Sequence, residues 1–478
     1  MNRRSGQFLK AKIVCTIGPA STEPVVLERL CRAGMDVARL NMSHSKPDQA
    51  RASAQAIRDR AESLGRVLAL LVDLQGPKIR LGQLDGQLTL NSGDRVTLAP
   101  SESVGPSELP VTYPHLAADL TPGDRLLLND GRVELVVRRV SAPRVEVEVT
   151  IGGSISSGKG INLPGVSISA PALTEKDLAD IELAREIGAE YVALSFVRSA
   201  DNVRELRKRL SHDALIMSKI EKDVALRDLD EILEASDAVM VARGDLGIEL
   251  PFEQVPLAQK RIVREANARY RPVIVATEML ESMIESPRPT RAEVSDVANA
   301  ILDGTDGVML SAETAVGRHA VESVEALVRV IGEVEAESIA LTGGPAYDVP
   351  GKETNGGPAE TEVAVACATA EAVRAIQAPA VVSFTRSGYT ARVVSSHRPP
   401  VPILTVTDSA SVQRQLSLVW GVMPVLCRGE PSYDSMWNTA RRELLERGIA
   451  APGDRVVVTA GMPFHVQGTT NMVRIEVV

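Results

Sequence analysis

The sequence predicts an α/β fold: a (β/α)8 TIM barrel that carries an inserted all-β lid domain and is followed by a C-terminal α/β domain. Three observations carry this prediction. Eight near-continuous apolar runs alternate with helical patterns, as strands do in a parallel sheet covered on its faces, and eight such units close a barrel. The rhythm breaks once, between the third and fourth runs, where short β patterns are punctuated by Gly, Asp and Pro turns. Five further β runs with helices between them follow a Gly/Pro-rich stretch. A chain of 478 residues is too long for one core, so several domains are required.

The barrel runs are "KIVCTIG" (12–18), "VARLNMS" (37–43), "VLALLVDL" (67–74), "YVALSFV" (191–197), "LIMSKIE" (215–221), "AVMVARGD" (238–245), "PVIVATEM" (272–279) and "GVMLSAET" (307–314). The helix "TEKDLADIELAREIGAE" shows the expected grammar. Thr174 is placed as N-cap with Asp177 three residues on, Leu178, Ile181, Ala184 and Ile187 recur at helical spacing, and Gly188 is placed to stop it. The insert reads "GQLTL", "DRVTLAP", "DRLLLND", "GRVELVVRRV" and "RVEVEVT". An insert on a βα loop lies over the C-terminal mouth of a barrel and is expected to act as a lid. The expected division is a barrel at 1–80 and 169–341, a lid at 81–168, a linker at 342–357 and a C-terminal domain at 358–478. The last contains "AVVSFT", "VPILTVT", "GVMPVLC", "RVVVTAG" and "MVRIEVV".

Composition narrows the function classes. Aromatics are only 3%, so the cores must be built from Val, Leu, Ile and Ala. A formal net charge of −9 argues against nucleic-acid or anionic-membrane binding, which need a basic surface, but not against an anionic small substrate in a local cationic cleft. Cys15, Cys31, Cys367 and Cys427 are widely spaced with no CxxC pair, which suggests reduced thiols. The basic "MNRRSGQFLK" is not followed by an apolar stretch, so no secretory signal is expected, and no run is long enough to span a bilayer. A cytoplasmic enzyme is the expectation.

Polar residues at barrel strand C-termini point into the mouth. There the runs place Arg39, Asn41 and Ser43 with His44 just beyond, then Asp73, Lys219, Glu221, Arg243, Gly244, Asp245, Thr277 and Glu278. Glu221 and Asp245, on neighbouring strands, can hold one hard divalent ion that keeps water or substrate oxygens, which suits Mg2+. Lys219 shares the face of Glu221 and suits charge developing on a phosphoryl group or enolate. A single Lys–Glu pair would be a structural ion pair, and Asp after Gly ordinary turn chemistry. Joint placement on five strands at one end is what points to catalysis. "GSISSGKG" (153–160) does not match the Walker A spacing and is weak by itself.

The stretches "KIVCTIGPAS", "DVARLNMSH", "VDLQGPKIRLG", "KGINLPG", "SKIE", "VMVARGDLGIEL", "ATEMLESMIESPRPTRAEVSDVANAILDGTDGVMLSAETAVG" and "GTTNMVRI" together resemble the pyruvate kinase family over nearly the whole chain. The resemblance implies phosphoryl transfer from phosphoenolpyruvate to ADP, giving ATP and pyruvate, in a homotetramer with a C-terminal regulatory domain. It implies Lys219, Arg39 and Thr277 as catalytic residues, with Arg39, Gly244, Asp245 and Thr277 at the substrate. Glu221 and Asp245 become ligands of Mg2+, or Mn2+. Asn41, His44, Arg80 and Lys159 fall on the nucleotide side, and a second Mg2+ arrives with ADP. The loop "SFTRSGYTAR", with Thr385, Arg386, Ser387, Gly388 and Thr390, resembles the family's effector-phosphate loop; a sugar phosphate or AMP would suit it, and an ordinary Ser/Gly turn reads the same way. The rival readings are another phosphoenolpyruvate-using barrel, which would lack the lid and nucleotide contacts, and a non-catalytic effector-binding homologue, which should have lost Lys219, Glu221 or Asp245.

One stretch departs from the family pattern. The commoner form reads T-K-G-P-E-I-R where this chain has Leu74, Gln75, Gly76, Pro77, Lys78, Ile79 and Arg80. In the commoner form, groups matching Asn41, Ser43, Asp73 and the carbonyl at Leu74 hold K+. The lysine in place of glutamate leads to the expectation that the Lys78 ammonium pairs with Asp73 and takes over the role of K+, so that K+ is not required. Gln75 in place of lysine partly compensates the added charge. The competing reading makes Lys78 a solvated hinge lysine.

Overall fold

The computed structural model describes residues 8–166, 168–210, 213–342, 360–428, 432–462 and 470–478. The expected linker at 342–357 lies, beyond its first residue, outside the described residues, as do Gly468 and Thr469 of the last family-like stretch.

The eight barrel strands are Lys12–Thr16, Val37–Asn41, Ala69–Asp73, Tyr191–Leu194, Leu215–Ile220, Ala238–Ala242, Val273–Ala276 and Gly307–Leu310. All pair in parallel, and the first closes on the eighth through Lys12↔Gly307 and Cys15↔Leu310. Their alternation divides the core in two. Val14, Leu71, Tyr191, Met217, Met240 and Met309 fill the barrel interior, whereas neighbours such as Ile13, Val72 and Val241 face the helices. Each strand is shorter than the apolar run that announces it; the residues beyond its C-terminal end form loops of the mouth, while Val67, Leu68 and Pro272 precede their strands. At the sixth strand the difference is qualitative: Arg243, Gly244 and Asp245 form the first turn of a helix, Arg243–Glu249, rather than the strand end.

The helix Glu175–Glu186 begins as expected. Thr174 accepts from the Asp177 amide, a reciprocal capping box closes the end, and Gly188 has φ 62°. Its buried stripe differs from the expected one. Leu178 is 36% exposed, and Asp177 is buried because its carboxylate accepts from the Gly76 amide at 3.1 Å.

The insert departs from the third strand's C-terminal end. It forms a two-stranded sheet, Leu88–Leu90 with Gly153–Ile155, and a six-stranded sheet. The latter runs Ile161–Asn162, Arg125–Leu128, Val133–Ser141, Arg144–Ile151, Arg95–Pro100 and Glu108–Val111. The insert is built of β-strands as expected, with one short helix at Leu116–Asp119. Leu98, Leu126, Leu135, Val145 and Val147 give the insert a core of its own. It meets the mouth of the barrel, where Arg80 bridges Gly160 and Asn162 reaches Glu249 of the helix after the sixth strand.

The C-terminal sheet runs Val422–Leu426, Ile403–Thr407, Val381–Phe384, Arg455–Ala460 and Met472–Val477, with only the last strand antiparallel. It packs on the opposite, N-terminal end of the barrel, where Lys12 Nζ donates to the Val422 carbonyl at 2.8 Å and Tyr191 Oη to the Gln415 carbonyl at 2.7 Å. Among the described residues no helix is long and apolar enough to cross a membrane.

Candidate active site

Asp73, at the end of the third strand, is the hub of the mouth. It is 1% exposed, its Oδ2 accepts from Arg39 Nε and Nη2 at 2.7 Å, and its Oδ1 lies 3.2 Å from Lys219 Nζ. Parallel register sets this up, placing Arg39 and Asn41 on the second strand beside Leu71 and Asp73 on the third. Lys219 also reaches Glu221 Oε1 at 2.9 Å, and Glu221 Oε2 accepts from the Phe196 amide at 2.6 Å.

The electrostatics follow from burial opposed by pairing. Burial disfavours the Asp73 carboxylate, but Lys219 and Arg39 overcome it and hold its pKa below the ordinary range. Burial likewise opposes charge on Lys219, and Asp73 and Glu221 reverse it, so the ammonium is held charged well above its usual range. Glu221 goes the other way: burial first, then repulsion from Asp245, raise its pKa against the pull of Lys219. A second cation at Glu221 and Asp245 would relieve that repulsion. The described residues hold no group of three or more His, Cys, Asp and Glu placed for a metal, so an ion at this pair would complete its shell with water and substrate oxygens, the habit of Mg2+.

The seventh strand ends under strain. Thr277 and Glu278 have φ 71° and 56°, the left-handed region that non-glycine residues avoid. Thr277 Oγ1 accepts from the Gly244 amide at 2.8 Å, and Arg243 Nη2 donates to the Thr277 carbonyl at 2.7 Å while its Nη1 holds Asp296. The turn that carries Thr277 is thereby tied to the one that carries Asp245.

Lys78 stands elsewhere than expected. Its Nζ is 3.6 Å from Asp245 Oδ1 and lies over the Phe196 ring, not at Asp73, whose two oxygens are already taken by Arg39 and Lys219. The other groups of the expected cation site are also engaged. Asn41 Oδ1 accepts from the Ser43 amide at 3.1 Å, and the Leu74 carbonyl from Ser195 Oγ at 2.7 Å. His44 is exposed, yet the burial it does have, then the charges of Arg80, Arg39 and Lys78, lower its pKa. Arg80 Nη1 donates to the Gly158 carbonyl at 3.0 Å, directly before Lys159.

The loop 385–390 is bonded both to itself and to neighbouring segments. Thr385 Oγ1 accepts from the Gly388 amide at 3.0 Å, Arg386 pairs with Asp408 at 3.4 Å, and Thr390 Oγ1 meets Thr470 Oγ1 at 2.8 Å. Of the four free thiols, Cys15, Cys31 and Cys427 are buried and Cys367 is exposed.

Sequence reasoning missed Ser195 and Phe196 after the fourth strand, Thr16, which accepts from Arg39 Nη1 at 2.9 Å, and the part-buried Lys222–Glu249 pair, whose glutamate meets Asn162 of the insert. The rule that found the other residues would have found Ser195, the one polar residue in "YVALSFV" near its C-terminal end. The absence of a charge there hid it.

Residues 8–324 match the family model described as "Pyruvate kinase, barrel domain", and residues 363–476 match "Pyruvate kinase, alpha/beta domain". The chain is similar to a pyruvate kinase of Agrobacterium vitis, 43% identical over 98% of each chain. It is 42% identical to one of Mycobacterium tuberculosis, again over 98% of each, and to one of Geobacillus stearothermophilus over 98% of this chain and 80% of the relative.

Proposed function

Because this chain belongs to the pyruvate kinase family of phosphotransferases, we propose that its mouth transfers the phosphoryl group of phosphoenolpyruvate to ADP, giving ATP and pyruvate. The observation that carries this reading is the buried Lys219 held between Asp73 and Glu221 beside Arg39. Transfer between two polyanions needs cationic groups held in place before the reaction begins; Asp73 and Glu221 hold Lys219 and Arg39 so, and a divalent ion would add the net positive charge.

The P–O bond to the enol oxygen breaks as a bond to an ADP phosphate oxygen forms, and the electron pair stays on the enol oxygen. Lys219 and Arg39 neutralise the phosphoryl group in flight. Glu221 and Asp245 would hold Mg2+, with Mn2+ also suited to these oxygens, and the ion would supply positive charge to the substrate's oxygens. Gly244 and Thr277 border the substrate, and the linkage of their two turns supports that placing. Arg80, Lys159, Asn41 and His44 face the nucleotide, and a neutral His44 suits a site already rich in cations. The insert excludes water, so phosphate passes to ADP rather than to solvent. The enol carbon then takes a proton, for which a water near Thr277 is the candidate donor.

Lys78 enters this reading with a changed partner. Its ammonium, 3.6 Å from Asp245, would be a fixed monovalent charge at the metal-side carboxylate, making K+ dispensable. A homotetramer and a phosphorylated effector at 385–390 belong to the same proposal. The apolar exposure of Phe252 (85%), Leu257 (68%) and the edge strand Met472–Val477 supports the first.

The test is pyruvate formation from phosphoenolpyruvate, ADP and Mg2+ in K+- and Na+-free buffer with a bulky organic cation, repeated with KCl. ADP-dependent pyruvate at the same rate in both is expected. Phosphoenolpyruvate consumed without forming pyruvate would favour a lyase or mutase, pyruvate with inorganic phosphate in the absence of ADP would mean transfer to water, and no consumption in either buffer would favour a non-catalytic homologue. Activity only with KCl keeps the kinase and returns Lys78 to the role of a hinge residue.

A further inference from the structure

The fourth barrel strand brings no charge to the mouth, yet the turn after it touches both carboxylates of the cluster. Ser195 is 3% exposed. Its Oγ donates to the Leu74 carbonyl at 2.7 Å, accepts from Lys219 Nζ at 2.8 Å and lies 3.4 Å from Asp73 Oδ1. A hydroxyl has one hydrogen; committed to Leu74, it leaves its lone pairs for Lys219. The ammonium has three donors, and its partners are Asp73 Oδ1 at 3.2 Å, Glu221 Oε1 at 2.9 Å and Ser195. The carboxylates attract the ammonium from a wide range of directions, whereas the hydroxyl is a neutral acceptor with its orientation set. The next residue, Phe196, has φ 55° and donates its amide to Glu221 Oε2 at 2.6 Å, so the turn is anchored on both sides. Gly76 closes over it, for a Cβ there would stand 3.0 Å from the Ser195 Cβ and from the Phe196 ring.

We propose that Ser195 is a positioning residue for phosphoryl transfer, fixing the Lys219 ammonium between Asp73 and Glu221 through one directional hydrogen bond and acting on the substrate only through that lysine. This rests on the reading of Lys219 as the lysine of the transition state.

The test measures kcat, KM for phosphoenolpyruvate and ADP, and the thermal midpoint for the parent, Ser195→Ala, Ser195→Thr and Ser195→Cys, and for Ser195→Ala in a Lys219→Ala background. Ser195→Ala is expected to lower kcat by about 10–100-fold with both KM values within about twofold, since a small misplacement costs rate rather than affinity. Ser195→Thr, which keeps the acceptor, should stay within about threefold of the parent, and in the Lys219→Ala background the alanine change should cost less than about twofold. Parent-like kcat in Ser195→Ala overturns the proposal, and so does an equal loss in both backgrounds, the mark of a purely structural role. If Ser195→Ala does not fold, Ser195→Cys, close in shape but a weak acceptor, decides on the same readings. A parent that makes no ADP-dependent pyruvate defeats the reading of the site; an active parent with an equally active Ser195→Ala defeats this inference alone.

Discussion

At Lys219 burial and pairing pull in opposite directions, and pairing wins because two carboxylates and a hydroxyl share one ammonium. Replacing it by Met should lower kcat by about 100-fold or more, the scale of losing one fixed charge at a transition state. It should also destabilise the fold by about 3–5 kcal/mol, because Glu221 is left buried beside Asp245 without its cation. Turnover and urea unfolding check both halves; a stable variant with parent kcat would remove Lys219 from the chemistry. Lys78 gives a second expectation. Lys78→Glu sets two like charges near Asp245, so activity without K+ should fall about 10–100-fold, and KCl should restore much of it. A variant indifferent to both K+ and the substitution would show Lys78 to be a bystander. A third concerns His397, 5% exposed with its Nε2 unpartnered, whose pKa burial and then the Arg374 charge lower to about 4. An unfolded histidine takes a proton near pH 6.5, so between about 6.5 and 4 the unfolded chain binds a proton the folded chain refuses. Stability from this group is present above that window and is lost as pH falls through it, about 2 kcal/mol by pH 5. His397→Gln should therefore show a smaller drop in urea midpoint between pH 7 and pH 5 than the parent.

At the scale of elements, the strands were legible because a strand buried on both faces must be apolar throughout, and the barrel's apolar runs contain the observed strands. Their ends were less so. The same runs spill into the loops of the mouth, so Arg243–Asp245 read as strand although they turn into a helix. Glu108–Val111 left no signal, because "ELPV" carries a proline that only an edge strand tolerates, and it does lie at a sheet edge. The charged cluster was visible as residue types at strand ends, but the partner of Lys78 was not, since Asp73 and Asp245 are equally plausible until Arg39 and Lys219 are seen to occupy the first. Arg198 was invisible for a related reason: its partners are backbone carbonyls. It donates to those of Ile168 and Ala170, where the chain returns from the insert to the barrel. Arg198→Ala leaves two carbonyls without their charged donor, at a cost of about 1–3 kcal/mol of local opening. Hydrogen exchange around 168–172 should quicken while the core strands of the barrel stay protected, and if the insert acts as the proposed lid kcat/KM should fall. Unchanged exchange in that segment would deny Arg198 a part in the hinge.

For the whole molecule, the two ends of the barrel differ: the C-terminal end carries the candidate site, and the N-terminal end holds the last domain. The joint centres on Arg398, 1% exposed, stacked 4.8 Å from the centre of the Trp420 ring. Its Nη1 meets Asp306 Oδ1 at 2.9 Å, and its Nη2 donates to Asn267 Oδ1 at 3.0 Å and the Gly304 carbonyl at 2.8 Å. Asp306 is the residue before the eighth strand, and its Oδ2 accepts from the Val273 amide that opens the seventh at 2.9 Å. The domain joint and the barrel wall therefore share one carboxylate. Arg398→Met keeps much of the volume and removes the charge, leaving Asp306 buried without its cation, so a loss of about 3–5 kcal/mol is expected in urea unfolding. Arg398→Lys should recover only part of it, because an ammonium cannot stack on Trp420 while bridging three acceptors in a plane. Arg398→Met combined with Asp306→Asn should cost less than the sum of the two single changes, as coupled partners do. Strictly additive losses would mean that the ion pair is incidental to the joint.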